Sequence, residues 1–372
     1  MSNALDYITV KGFKSIASIE KLELRPVNVV IGPNGSGKSN FIGVFAFLHA
    51  IREGRLRDYV TASGGAERVL HFGSKTTREI EICISFQSET NQYELKLSPT
   101  ADDGLYPAGE WVFHWDKRRF PEKPYSQGLM ASQQGREAGI SDARNKRIAD
   151  WVRHRLGGWR LYHVHDTSAS SPMRKTARVD DNRYFRADGS NLAPFLFFLK
   201  EKRADSYNLI RHAVQQVTPF FEDFRLEPLR LKPDDIKLEW RHKSSDQYFD
   251  ASSLSDGTLR FIALATLLLQ PLDYRPSVIL IDEPELGLHP AAIGVLASMI
   301  RQASASTQVI VATQSSLLLD HFTPDDVLVA NRVDGGTQLA RLDSGRLAGW
   351  LEEYSLGQLW EKNELGGRPV QA

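Results

Sequence analysis

Residues 32–39 read G-P-N-G-S-G-K-S, with Gly, Lys and Ser at the fixed offsets GxxxxGKS. Each residue type meets a requirement of phosphate chemistry. Gly35 and Gly37 let the backbone wrap an anion, Lys38 brings a cation to the β- and γ-oxygens, and Ser39 offers an oxygen to Mg²⁺. Gly32, Pro33, Asn34, Ser36 and Asn40 complete the loop and the turn that follows. A chance match in a chain of this length is on the order of 1%. A buried-strand pattern before the loop (VNVVIG) and a helical pattern after it (SNFIGVFAFLHAIREG) strengthen the reading.

Two further stretches can act on the same ligand. In SVILIDEPELGLHP, residues 277–290, an apolar strand ends in Asp282 and Glu283. Adjacent carboxylates at the carboxyl end of a sheet are costly without partners. Asp282 can orient a magnesium shell, and Glu283 can polarise a water aimed at a γ-phosphate. In LSDGTLRFIALATLLLQ, residues 254–270, the polar Ser255, Asp256, Gly257 and Thr258 open an almost wholly apolar helix. Ser or Asp there caps orphan N–H groups, and the same N–H groups and helix dipole attract phosphate. Both readings fit this stretch taken alone.

These residues need a sheet to carry them. LDYITVKGFKSIASIEKLEL offers two β-patterned runs around a turn at Gly12 to Ser15, and REIEICISF, QYELKL and EWVFHW continue as an antiparallel meander. A basic, turn-rich stretch from Pro99 to Gly158 carries one helix, DARNKRIADWVRHRL. GWRLYHVH reads as a strand, NLAPFLFFLKEKRADSYNLIRHAVQQV as one or two helices, and FRLEPLRL with IKLEWRH as a hairpin. Helix, strand, helix, strand, helix and strand then alternate from residue 254 to 333, which predicts a mainly parallel sheet. The expected organisation is an N-terminal lobe over 1–98, an inserted mixed helical and basic subdomain over 99–223, and a C-terminal lobe over 224–372.

The 372 residues are 41% hydrophobic and 25% charged, which excludes general disorder. Lys plus Arg (46) balances Asp plus Glu (46), so any nucleic-acid surface must be local. The single cysteine, Cys83, lies in a strand pattern and reads as a core residue of a reducing cytoplasm. No apolar run approaches the roughly 20 residues that span a bilayer, and the first residues lack a signal-peptide pattern. A cytoplasmic protein without a membrane partner is expected.

With the phosphate loop, LSDGTLR and ILIDEPELGLHP in this order, the chain resembles ABC-type ATPases of the RecF/SMC/OLD branch. The fold this implies is a P-loop NTPase head of the ABC type: a mainly parallel α/β core, an N-terminal antiparallel β-subdomain and an inserted helical, basic subdomain. LSDGT resembles the LSGGQ signature of that family, with Asp256 in place of the first Gly and Thr258 in place of the Gln. The resemblance implies ATP and Mg²⁺ as ligands and a head-to-tail homodimer. In it Ser255, Asp256 and Gly257 of one copy meet the γ-phosphate on the other's P-loop. It implies Mg²⁺ contacts from Ser39, Asp282 and Gln87, the last as a Q-loop residue, and a catalytic set of Lys38, Glu283 and Gln314. Gln314, in VATQSSLLL, stands where the family usually has a switch histidine; an amide can hydrogen-bond but cannot carry a proton and charge. Lys14, in GFKSI, resembles the basic residue of these heads near nucleotide and equally fits a solvated turn. Gly287, Leu288 and His289 sit where the family has its D-loop, and His289 also fits a helix cap. HDTSASSPMRK, DNRYFRADGSNLAPFL and YSLGQLWEKNELGGRP resemble segments of compact RecF-like ATPases that lack coiled coils and a TOPRIM nuclease.

Residues 111–160 hold Lys or Arg at 117, 118, 119, 123, 136, 144, 146, 147, 153, 155 and 160 against acids at 116, 122, 137, 142 and 150. The excess fits either a DNA-backbone contact or a solvated basic helix face. Trp111, Trp115, Trp151 and Trp159 could stack on bases and more often serve a core. His163 and His165 share a strand face without the further ligands a metal site needs. Expected partners are DNA or, alternatively, a separately encoded nuclease or toxin restrained by an ATP-gated scaffold.

Overall fold

The computed structural model describes residues 5–129, 137–143 and 146–366. Two six-stranded sheets organise them. The first is antiparallel, in the order Ile16–Glu23, Leu5–Phe13, Ile80–Phe86, Asn91–Pro99, Leu105–His114 and Tyr125–Gly128. The second runs Gly336–Arg341, Val327–Val333, Val27–Ile31, Gln308–Thr313, Val278–Asp282, Trp159–Tyr162. All its pairings are parallel except the antiparallel edge Gly336–Arg341.

The parallel strands are continuous apolar runs because both faces are covered. Val29, Ile31, Ile279, Ile281, Val309 and Val311 face one core, packed by the helices Leu192–Lys202, Ala204–Val217, Asp256–Leu269 and Pro290–Ser304. Val30, Val278, Leu280, Ile310 and Ala312 face the other, shared with the helix Lys38–Arg52 and the antiparallel sheet. Phe47 of that helix stacks on Phe13 at 5.2 Å, and Phe45 meets Trp159 edge-on at 5.2 Å. The helix Asp256–Leu269 is buried at every position from Leu259 onward because helices cover it on several sides.

Residues 99–223 contribute to both sheets and to the helices packed on them. Leu105–His114 and Tyr125–Gly128 extend the antiparallel sheet, and Trp159–Tyr162 joins the parallel one. The helices Leu192–Lys202 and Ala204–Val217 pack on the helix Asp256–Leu269. The helix read in DARNKRIADWVRHRL forms over Arg147–Gly157, and its N-terminal Arg144 and Asn145 lie outside the described residues. The expected hairpin is interrupted: Phe221–Arg225 pairs with Glu239–His242, while Asp235–Ile236 between them leaves to pair with Ala177–Arg178. Among the described residues no helix is long and apolar enough to cross a membrane.

Basic charge is similarly dispersed. Arg155 lies over the Trp151 ring at 4.7 Å, Arg153 donates to Ser141 O, and Arg160 to Gly157 O and Trp159 O. Lys117, Arg118, Arg119 and Lys123 stay exposed in the connection between Leu105–His114 and Tyr125–Gly128, where Lys117 pairs with Glu89 at 3.1 Å. Arg136 and Arg144 lie outside the described residues. Trp159 is core, and Trp151 packs edge-on against buried Phe86.

Candidate nucleotide site

Four parallel strands end together, which is where open α/β sheets bind ligands. Their register sets Ile31 beside Thr313 and Asp282 beside Ala312. The loop 32–37 follows Ile31, Glu283 follows Asp282, Gln314 follows Thr313, and His163 to His165 follow Tyr162.

The loop has little freedom to be otherwise. Gly37 has φ 99°, and a Cβ there would lie 1.9 Å from Thr337 Oγ1. Thr337 Oγ1 donates to Ser36 O at 2.9 Å and meets Ser15 Oγ at 2.7 Å, and Asn40 Nδ2 donates to Ser15 Oγ at 2.7 Å. A strand from the far end of the chain therefore braces the loop from behind. Gly35 has φ 78°, and a Cβ there would meet nothing within 4 Å, so its outer face is open. Lys38 Nζ donates to Gly32 O at 2.7 Å and Pro33 O at 3.1 Å. Burial draws the Lys38 ammonium below its usual pKa, against the opposing charges of Glu283, Asp282 and Glu285.

Ser39 Oγ donates to Asp282 Oδ2 at 3.1 Å, while Asp282 Oδ1 is buried without a hydrogen-bond partner. A hydroxyl beside a carboxylate with an unspent oxygen is a donor pair that suits Mg²⁺, which takes its remaining oxygens from phosphates and water. Among the described residues no group of three or more His, Cys, Asp or Glu is placed to hold a metal by itself. Glu283 has φ 42°, a conformation that non-glycine residues adopt rarely, and its Oε1 accepts from Gln314 Nε2. Buried Glu285 accepts from Thr313 Oγ1 and from Gln314 N, and burial raises its carboxyl pKa.

Other expected residues fall into place or away. Lys14 is near the loop, its Nζ 5.4 Å and 5.5 Å from the Phe13 and Tyr59 ring centroids, and burial lowers its pKa. With Ser15, Asn40, Arg68, His71, Phe72 and Arg332 it lines a cavity of about 370 Å³. Gln87 does not join the site. It sits with φ 57° in the turn between Ile80–Phe86 and Asn91–Pro99. Phe86 pairs with Leu5, whose amide donates to the Gln308 side chain at the opposite, amino end of the parallel strands. The strand-end position that suggested Gln87 belongs to the wrong sheet. In the parallel sheet the strand Trp159–Tyr162 instead runs on to His165, whose pKa burial and Arg260 lower while Asp282 and Glu283 oppose them. Its sequence signal was an apolar strand ending in polar residues, legible only once that strand's neighbour was known.

Ser255 caps the helix Asp256–Leu269, its Oγ accepting from Thr258 N at 3.1 Å. Ser255 and Asp256 are exposed. A Cβ on Gly257 would lie 2.2 Å from Gly287 O, so the turn presses against the loop after Glu283. Buried Arg260 ties the same helix to that loop and to the end of Trp159–Tyr162, donating to Leu286 O, to Val164 O at 3.2 Å and to His165 O at 2.8 Å. His289 caps the helix Pro290–Ser304, its Nδ1 accepting from Ala291 N at 3.2 Å.

Residues 27–320 match the family model AAA_21, described as "AAA domain, putative AbiEii toxin, Type IV TA system". Chromosome partition protein Smc of Mycolicibacterium paratuberculosis is 40% identical over 101 residues, and that of Mycobacterium tuberculosis 38% over 101. Each match covers 25% of this chain and only 8% of the relative. An Smc head crystallised with the C-winged helix domain of ScpA superposes with TM-score 0.61 at 17% identity, covering 93% of this chain and 99% of the other. The Pyrococcus furiosus Smc head, bound to the C-terminal domain of ScpA, gives 0.58 at 15%, covering 94% and 98%. At these identities the likeness is one of fold.

Proposed function

The chain belongs to the AAA_21 family of AAA domains and has the fold of an Smc ATPase head, and we propose on that premise that it hydrolyses ATP between two head-to-tail copies. The observation that carries this reading is the convergence of Lys38, Ser39, Asp282, Glu283 and Gln314 at neighbouring strand ends. Gly32 to Asn40 cradle the phosphates, and Lys38 exchanges its carbonyl partners for β- and γ-oxygens. Ser39 and Asp282 would hold Mg²⁺, which when bound neutralises charge on those oxygens. Glu283 takes a proton from the attacking water, and Gln314 holds the carboxylate in position for it. The cavity beside Lys14 and Asn40 suits the nucleoside, with the exposed Phe72 ring as a stacking face. Ser255 and Gly257 meet the γ-phosphate from the second copy, as the exposure of Ser255 and the openness around Gly35 allow.

The engaged pair acts on DNA in repair or antiphage defence, with the exposed Lys117, Arg118, Arg119 and Lys123 as its local basic surface. The family description, with its reference to a toxin, favours a second reading in which ATP gates a separately encoded nuclease or toxin. Comparing Glu283→Gln with the unaltered chain tests the core proposal. Turnover should fall by about 10²–10⁴-fold while ATP-driven dimers accumulate. Rapid hydrolysis by Glu283→Gln would refute the base assignment. DNA that changes neither turnover nor dimerisation would favour the effector reading.

A further inference from the structure

Arg174 has no part in the nucleotide site, yet it is the most heavily engaged side chain beside the signature turn. It ends the short turn Pro172–Arg174, and its side chain is only 9% exposed. Its Nε donates to Thr167 O at 2.9 Å, and its Nη1 to Ala251 O. Its Nη2 donates to Leu254 O at 3.1 Å and to Asp256 Oδ1 at 2.9 Å. The carbonyl of Leu254 immediately precedes the Ser255 cap, and that of Ala251 lies one turn before it. Asp256 is 69% exposed.

That arrangement answers a difficulty in the sequence. A carboxylate in the first turn of a helix and an incoming phosphate compete for the same positive end of the dipole. Left free, Asp256 would repel the γ-phosphate that its neighbours are placed to receive. A planar guanidinium held by three carbonyls presents its second Nη2 N–H in a fixed direction, and a charge-assisted bond of that kind is among the stronger ones. We infer that Arg174 is a positioning residue of the signature face: it draws the Asp256 carboxylate aside and neutralises it, so that the helix N-terminus receives the γ-phosphate of ATP held by a second copy. The inference rests on the head-to-tail reading proposed above. Arg174 also joins the loop after Trp159–Tyr162 to the signature turn, as Arg260 does one helical turn further on. The two arginines make the signature face rigid with respect to its own nucleotide site.

The test uses the full chain carrying Glu283→Gln, with Mg²⁺-ATP, and reads association by sedimentation velocity and monomer nucleotide affinity with a fluorescent ATP analogue. Arg174→Met should weaken ATP-driven association by about tenfold or more, with nucleotide affinity of the monomer changed less than about twofold. Adding Asp256→Asn to Arg174→Met should recover most of the loss, because no carboxylate then needs a counter-charge. Should Arg174→Met fail to fold, Arg174→Lys with and without Asp256→Asn reads the same coupling. Losses that persist unchanged in the double variant would show that Arg174 merely staples the loop, and would overturn the inference while leaving head-to-tail engagement intact. Undiminished association of Arg174→Met would do the same. If Glu283→Gln alone fails to associate with ATP, the head-to-tail reading falls, and this inference with it.

Discussion

The two faces that meet phosphate in the proposed dimer are built by different means. On the P-loop face the backbone does the work: glycines at left-handed angles shape the loop, and Lys38 folds back on the carbonyls of Gly32 and Pro33. On the signature face buried arginines do it. Arg174 and Arg260 reach from or to distant segments and fix a turn that carries an awkward carboxylate. The phosphate-facing groups of the loop thus come from one short segment, with distant Thr337 only bracing it from behind, whereas the signature turn depends on charges that the fold delivers from elsewhere. Removing the charge of the first face should act on nucleotide binding, and removing the arginines of the second on association and on stability; backbone substitutions on the first face act on stability.

The largest effect is expected for Lys38→Met. Removing the one cation of the loop should weaken ATP binding by about 100-fold or more, as lost charge-assisted bonds of this kind imply, with little change in melting temperature; titration calorimetry measures it. Equal ATP affinity in both chains would mean that the loop is not the phosphate site. Gly37→Ala should come next, because its Cβ has no room beside Thr337 Oγ1 and φ 99° strains any side chain. A loss of about 2–4 kcal/mol in denaturant unfolding is expected, and an unchanged midpoint would show that the loop relaxes freely. On the signature face Arg260→Met leaves the buried carbonyl of Val164 and the part-buried carbonyls of His165 and Leu286 short of a donor. It should lower stability by about 2–3 kcal/mol and leave ATP affinity within about threefold. An affinity loss matching that of Lys38→Met would erase the distinction between the two faces.

The same contrast explains what the sequence made legible. The P-loop, its strand and the Asp282–Glu283 pair could be read because their spacing along the chain is their geometry in space. The alternation of apolar strands and helices after residue 254 gave the parallel sheet for the same reason. Thr337 and Ser15, which brace the loop, carry no local signal, since only the edge pairing of the last strand brings Thr337 there. Gln87 was misplaced because a strand end does not say which sheet it belongs to. The excess of basic residues over 111–160 suggested one surface, but packing turns Arg153, Arg155 and Arg160 onto backbone carbonyls and a tryptophan ring. Cys83 is not the core residue its strand pattern implied: it is half-buried, alternating with the core-facing Ile82 and Ile84. Burial and the nearby Glu94 and Glu81 push its thiol pKa up to about 12. It should therefore be alkylated more slowly at pH 8 in the folded than in the unfolded chain, and equal rates in the two would contradict the raised pKa.

The smallest predicted effect lies between the two faces. Glu285 touches the P-loop side through Thr313 and Gln314, and the residues after it, Leu286 and Gly287, press on Arg260 and Gly257. Its second oxygen, Oε2, is buried without a partner. Burial raises its pKa most, the charge of Glu283 adds to the rise, and the hydrogen bonds from Thr313, from its own backbone and from Gln314 only partly oppose it. For an acid whose folded pKa is raised, the contribution to stability is full below the unfolded value and is lost as pH climbs through the folded one. At pH 8 the buried charge therefore works against folding. Glu285→Gln removes that charge but leaves an amide N–H₂ near the place of the unpartnered oxygen, so the net gain is small. The variant should melt about 1–2 °C higher at pH 8, and the advantage should vanish or reverse toward pH 4, where the native carboxyl is protonated and bears no charge. Differential scanning calorimetry across this range distinguishes the cases. A deficit of the same size at every pH would mean that the oxygen's hydrogen bonds, and not its charge, set the junction between the two faces.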